Sequence, residues 1–202
     1  MSETSQTRPK PRIESLSDMI FGLALSVGAI TLVGNPPNTT GQLYNDIASF
    51  GFSFLILIQV WMRYTRIMSA LPLENNRTIL LNTTLLFCVS VEPFLFHILG
   101  SIIANSVSVL YALDLGALNL ILAFFTLVLA DEERKLIAKD LIKQFRIEGL
   151  FTFFAAALFF VSILPFFWTH NLFGMPIRYD LWIIPLVILG IRKRIPKIGD
   201  RS

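Results

Sequence analysis

The sequence predicts an all-α, polytopic membrane protein with six transmembrane helices in each chain. Hydrophobic residues make up 54% of its 202 residues, charged residues only 15%, and the mean hydropathy is +0.65. Soluble globular domains carry about 25% charged residues, so this chain cannot cover a water-exposed surface. Two further observations support the prediction: apolar stretches of membrane-spanning length, and basic residues that cluster in alternate connections between them.

Six apolar stretches cover most of the chain, at residues 16–33, 47–62, 79–99, 107–130, 150–168 and 181–191. Most of them approach the ~17 to 25 residues that a helix needs to cross the hydrocarbon core. The second should extend toward Tyr64, and the sixth either starts near Leu172 or tilts and ends short. We expect residues 1–11 to form a flexible cytoplasmic tail, residues 12–193 a six-helix transmembrane domain and residues 194–202 a basic cytoplasmic C-terminus.

The basic residues predict the orientation of these helices. Alternation of the six stretches leaves Arg178 alone on one side, while all other Lys and Arg residues of the 17 fall on the opposite side. These are Arg8, Lys10, Arg12, Arg63, Arg66, Arg77, Arg134, Lys135, Lys139, Lys143, Arg146, Arg192, Lys193, Arg194, Lys197 and Arg201. Because Lys and Arg are enriched in cytoplasmic loops, both termini should be cytoplasmic in a multi-pass protein of the cell membrane.

Composition also argues against several other classes of function. One cysteine excludes a disulfide framework, and His97 and His170 lie in different segments, too few for a Cys/His zinc site. Serine, lysine and histidine do not recur at a spacing that pairs a nucleophile with a base, so we expect neither an enzyme nor a cofactor. The basic residues are explained by topology, so we expect no nucleic-acid partner.

The first stretch carries an apolar stripe. At 100° per residue, one face combines bulky aliphatic residues with small residues beside them. The bulky residues are Leu16, Ile20, Leu23, Val27 and Ile30, and the small ones are Gly22, Ser26 and Ala29. Periodicity alone indicates a stripe that faces lipid or packs against another helix.

Three carboxyl groups fall within the apolar stretches and need an explanation, because burying a charge in a membrane is costly. Asp18 follows Ser15 by three positions, which resembles a capping box, but it can equally belong to a polar network between helices. Glu92 and Asp114 lie within the third and fourth stretches. They are either functional groups or hydrogen-bonded packing groups.

Several short motifs resemble the transmembrane-protein-175 family of potassium channels. Arg12 with Ser17 and Asp18 is similar to the family's first-helix signature Arg-x-x-x-Phe-Ser-Asp. Ser53 between two phenylalanines, with Trp61 eight residues later, resembles the second-helix pattern. In the third stretch, Asn82 and the pair Pro93-Phe94 resemble the family's Asn and Pro-Phe. The resemblance is strongest over residues 12–94.

The resemblance implies a homotetramer in the lipid bilayer whose four first helices line a pore for monovalent cations. Leu23, Val27 and Ile30 would form rings of bulky side chains at the constriction, and Ser26 would add hydroxyl groups between them. The constriction would act as a hydrophobic gate, a filter or both. A potassium pathway without a fixed ligand site is expected, since the chain has no Thr-Val-Gly-Tyr-Gly loop.

The chain departs from the family pattern at three positions. Leu16 replaces the motif Phe, Tyr64 replaces a His expected three residues after Trp61, and Glu92 precedes Pro93 where an apolar residue is expected. The intramembrane carboxyl groups keep an alternative open, a proton-coupled secondary transporter. A membrane scaffold without any flux is a third possibility.

Overall fold

The computed structural model describes residues 12–34, 37–71, 76–99, 104–131, 136–172 and 175–191. Helices dominate this part of the chain, with one two-residue antiparallel ribbon. The elements are α1 (Arg12–Gly34), α2 (Thr40–Met68), α3 (Asn76–Ile98), α4 (Ala104–Leu129), α5 (Lys139–Val161), α6 (Phe166–Thr169), β1 (Asn171–Leu172), β2 (Met175–Pro176) and α7 (Ile177–Ile191). The expected tails at 1–11 and 194–202 lie outside the described residues.

The six long helices correspond to the six predicted stretches and confirm the all-α fold class. Within the described residues, α2, α3, α4 and α5 each contain a segment long and apolar enough to cross a membrane. Helix α1 adds a shorter apolar segment, Ser15–Ile30. Helix α7 begins at Ile177, later than the alternative start near Leu172, and has 15 residues.

The predicted boundaries of the fifth stretch, 150–168, are wrong at both ends. Helix α5 begins at Lys139 because an amphipathic segment precedes the apolar run. There Leu141, Ile142 and Phe145 are buried although the exposed polar residues Lys143 and Gln144 lie between them. Helix α5 ends at Val161 and a turn leads to the four residues of α6. Pro165 lies in this turn, and proline disfavours helical backbone at the residue before it.

Helices α4 and α5 form the most extensive interhelical contact among the described residues. A Cβ atom on Gly149 would lie 2.8 Å from two side-chain carbons of Leu127, and one on Gly116 would lie 2.8 Å from the Phe160 ring. Glycine at both positions therefore lets the two backbones approach, as small residues do between membrane helices. Helix α1 packs on the other side of the bundle, against α2 and α3.

Candidate functional site

Helix α1 has two faces of opposite character. Leu23 is 64% exposed, Val27 37% and Ile30 64%, and these residues form one line along the helix. Ser17, Phe21 and Ala24, on the opposite face, are each at most 3% exposed and pack into the bundle. The bulky stripe of α1 therefore lies on the surface of the single chain, available to lipid or to other copies.

Ser26 lies beside this stripe, on the exposed part of α1. Its hydroxyl donates to the carbonyl oxygen of Gly22 at 2.8 Å, one turn earlier. The hydroxyl oxygen keeps accepting capacity, because a serine hydroxyl has two lone pairs and only one hydrogen. The exposed face thus carries one polar atom among aliphatic side chains.

Asp18 belongs to an interhelical contact. Helix α1 begins at Arg12, so Ser15 lies inside the helix and cannot act as its N-cap. The indole Nε1 of Trp61 on α2 donates to Asp18 Oδ1 at 3.3 Å. Of the two readings open for Asp18, the structure supports the network. The side chain of Arg12 lies outside the described part of the structure.

Tyr64 connects α1, α2 and α3 through its hydroxyl group. It donates to Asn82 Oδ1 at 2.8 Å and lies 2.7 Å from Ser17 Oγ. A phenol has one hydrogen, so Ser17 donates to Tyr64 when Tyr64 donates to Asn82. The Tyr64 ring also lies 5.4 Å from that of Phe21. The residue at the expected His position therefore forms its own bridge between motif residues.

Ser53 and Glu92 form a second buried cluster. The Ser53 hydroxyl lies 3.1 and 3.0 Å from the two carboxyl oxygens of Glu92, and Tyr111 on α4 donates to Glu92 Oε1 at 3.1 Å. Glu92 and Tyr111 have no exposed surface, and Ser53 is 5% exposed. Sequence reasoning did not pair Tyr111 with Glu92. The available signal was a phenol inside an apolar stretch, which needs a hydrogen-bond partner when buried.

Asp114 is the other buried carboxyl group, 8% exposed on α4. Its Oδ2 atom has no hydrogen-bond partner among the described residues. The part of the chain that the structure describes contains no group of three His, Cys, Asp or Glu residues placed to hold a metal ion. Helix α1 thus has an exposed apolar face, and hydrogen bonds on another face attach it to the bundle.

The segment that contains α1, α2 and most of α3 matches a family model. Residues 12–93 match the model described as "Endosomal/lysosomal potassium channel TMEM175". This part of the chain is therefore similar to the TMEM175 family. A curated protein named "Potassium channel" from Marivirga tractuosa is 30% identical over 90 residues, which are 43% of this chain and 36% of that protein. The match thus spans about a third of the relative's length.

Two solved structures share the fold over nearly the whole chain. One is a homologue, from Chamaesiphon minutus, of the lysosomal potassium-selective channel TMEM175, with a TM-score of 0.62 and 19% identity over 90% of this chain and 96% of that one. The other is a variant of the potassium channel MtTMEM175 in complex with a nanobody–MBP fusion, with a TM-score of 0.62 and 21% identity over 93% of this chain and 94% of that one. The similarity extends the TMEM175 fold beyond the motifs in α1 to α3.

Proposed function

We propose that this protein is a potassium-conducting cation channel made of four copies of the chain, with α1 of each copy lining the pore. The observation that carries the proposal is the exposed line of Leu23, Val27 and Ile30 on α1. Hydrogen bonds of Asp18 and Ser17 hold another face of this helix against α2. The family match and the names of the similar proteins support a channel for potassium.

Several copies are needed because one chain contributes a single α1, and four is the number that the resemblance to the family implies. Around a central axis, four copies of the stripe would face one another and remove these aliphatic side chains from lipid. Rings of Leu23, Val27 and Ile30 would then narrow the pore at three successive levels. Ser26 would present hydroxyl oxygen atoms near these rings.

The proposed rings would act as a barrier whose height depends on side-chain size and polarity. Aliphatic side chains offer no oxygen atoms to a cation, so an ion must keep its water or lose hydration energy on passing. Hydrophobic constrictions can also interrupt the water column. We propose that the same rings serve gating and discrimination between potassium and sodium.

A proton-coupled secondary transporter is the second candidate, because Glu92 and Asp114 are buried in the bundle. Intramembrane carboxyl groups of transporters take part in proton relays. In this structure, the partners of Glu92 are Ser53 and Tyr111 of the same chain, and Glu92 is fully buried. This arrangement favours a role in packing over one in carrying protons along a pathway.

Purified protein in liposomes under a potassium gradient separates the candidates. The channel should dissipate the gradient and set a membrane voltage that follows the Nernst relation for potassium. A coupled carrier should move solute only when a proton gradient or second substrate is supplied. Absence of potassium flux in vesicles that contain folded protein would refute the channel proposal.

A further inference from the structure

Two carboxyl groups lie buried between α3 and α4. Glu92 on α3 has no exposed surface, and Asp114 on α4 is 8% exposed. The Tyr111 hydroxyl, three residues before Asp114 on the same face of α4, donates to Glu92. One turn away, the thiol of Cys88 on α3 lies beside the Asp114 carboxyl group. The two acids thus lie in successive turns of one contact between helices.

Neither acid has a basic partner among the described residues. The contacts of Glu92 are the hydroxyl groups of Ser53 and Tyr111, and Asp114 Oδ2 has no hydrogen-bond partner in this part of the chain. The charge that acts on Glu92 is that of Asp114, which has the same sign. His97 is exposed, about 140° around α3 from Glu92. A buried charge without an opposite charge is costly, so a carboxyl group in such a site takes up a proton.

The charged groups of α1 and α2 lie further from this carboxyl pair. On α2, Asp46 and Arg63 are seven and ten residues from Ser53, which is roughly 10 and 15 Å along the helix axis. On α1, the residue that packs against α3 is Gly28, and Asp18 lies ten residues before it. Helix α2 therefore contributes a hydroxyl group at this level, and α1 contributes no charge.

Helices α5 and α7 approach this part of α4 with aromatic rings. The Phe160 ring of α5 lies against Gly116, two residues after Asp114. The Trp182 ring of α7 lies 5.3 Å from the Tyr111 ring. The titratable groups of α7 are in its first turn, at Arg178, Tyr179 and Asp180. The surroundings of the carboxyl pair are therefore apolar apart from hydroxyl and thiol groups.

We propose that Glu92 is a proton-binding site and that the bound proton holds α2, α3 and α4 together. The proton on Glu92 Oε2 donates to Ser53 Oγ, 3.0 Å away. Ser53 and Tyr111 in turn donate to Glu92 Oε1, each at 3.1 Å. Loss of the proton to water would place a negative charge beside Asp114 without a cation to balance it. The proposal requires a folded bundle but not ion conduction.

Infrared difference spectroscopy of the parent protein and Glu92→Gln, in lipid vesicles at neutral pH, tests the proposal. The carbonyl stretch of a protonated carboxyl group is separate from the bands of a carboxylate, and the difference spectrum should contain this stretch. Tyr111→Phe keeps the carboxyl group and removes one hydrogen bond to it, so the stretch should move to higher frequency. Glu148→Gln is the matched control, because Glu148 pairs with Arg66 at 3.6 Å and should lose carboxylate bands. Carboxylate bands alone in the Glu92→Gln difference spectrum, or an unmoved stretch in Tyr111→Phe, would overturn the proposal.

The pH dependence of unfolding in mild detergent gives a second measurement. A folded chain that holds one more proton than the unfolded chain loses stability as pH rises, and its equilibrium constant for unfolding increases up to about tenfold per pH unit. From neutral to mildly alkaline pH, the parent and Glu148→Gln should therefore lose more stability than Glu92→Gln, which has no ionisable group at this position. Equal pH slopes in the parent and Glu92→Gln would contradict a proton bound at Glu92.

Discussion

Tyr64 illustrates how single residues define this bundle. Tyr64 is 2% exposed, and its hydroxyl group bridges Ser17 on α1 and Asn82 on α3. Hydrogen bonds between membrane helices contribute about 0.6 kcal/mol on average and up to about 1.7 kcal/mol. This hydroxyl group therefore links the buried face of α1, the proposed pore helix, to α2 and α3.

Tyr64→Phe should lower the free energy of unfolding by about 1 to 2 kcal/mol, because it removes both hydrogen bonds and keeps the ring. Denaturant unfolding in mild detergent, followed by circular dichroism, measures this change. Tyr44→Phe is the control, because Tyr44 is 69% exposed on α2. Equal stability of both variants would show that the bridge does not hold α1.

The motif residues were predictable from the sequence at this scale, but their partners were not. Spacing placed Ser17 and Asp18 on α1 and left the role of Asp18 open between a cap and a network. The hydrogen bonds to Trp61 and Tyr64 depend on how α2 packs on α1. The periodicity of a single helix gives no information about this packing. The same limit explains why Glu92 had no predicted partner.

At the scale of elements, hydropathy located the helices but not all of their ends. A run without charged residues identifies only the part of a helix in which no face carries a charge. Helix α5 extends 11 residues before the predicted start at 150, where its apolar residues occupy one face only. In this extension Leu141, Ile142 and Phe145 belong to the buried core, and this burial is visible only in the folded chain.

Gly149→Ala should destabilise the packing of α4 on α5. The added methyl group would lie 2.8 Å from Leu127 side-chain carbons, and overpacking of this kind costs about 1 to 3 kcal/mol. Gly51→Ala is the matched helical control, because nothing lies within 4 Å of its Cβ position and alanine favours helix by up to about 1 kcal/mol. In thermal unfolding, Gly51→Ala should have a higher Tm than Gly149→Ala. The reverse order of the two Tm values would contradict this packing.

At the scale of the whole molecule, the basic residues predict an orientation that the helix order alone does not determine. Thr39 caps the start of α2 and Ser69 its end, so the flanking positions lie at opposite ends of one long helix. Asn38 and Ser69 are both exposed. If both termini are cytoplasmic, as the basic residues predict, Asn38 should lie on the outer side of the membrane and Ser69 on the cytoplasmic side.

Single cysteines at these positions, in a Cys88→Ala background, test the orientation. Asn38→Cys should react with a membrane-impermeant thiol reagent added to intact cells, whereas Ser69→Cys should react only after the cells are opened. Labelling is read on a gel after purification. Reaction of Ser69→Cys alone in intact cells would invert the topology.

The proposed pore also determines the expected oligomeric state, because α1 helices of several copies must surround it. Four copies are expected, and light scattering with correction for bound detergent should give four times the 22.8 kDa chain mass. Glutaraldehyde treatment in membranes should produce bands up to a tetramer and no larger discrete species. A monomer that retains potassium flux would refute a pore shared between copies.

Potassium and sodium flux through Leu23→Ser channels tests the pore assignment most directly. Leu23 lies at the midpoint of α1, where a polar and smaller ring should wet and widen the constriction. A barrier lowered by about 1.4 kcal/mol would raise potassium flux tenfold. Potassium flux should rise and discrimination against sodium should fall, while Leu120→Ser, exposed on α4, should behave as the parent. Unchanged flux and selectivity in Leu23→Ser, with altered conduction in Leu120→Ser, would contradict a pore lined by α1.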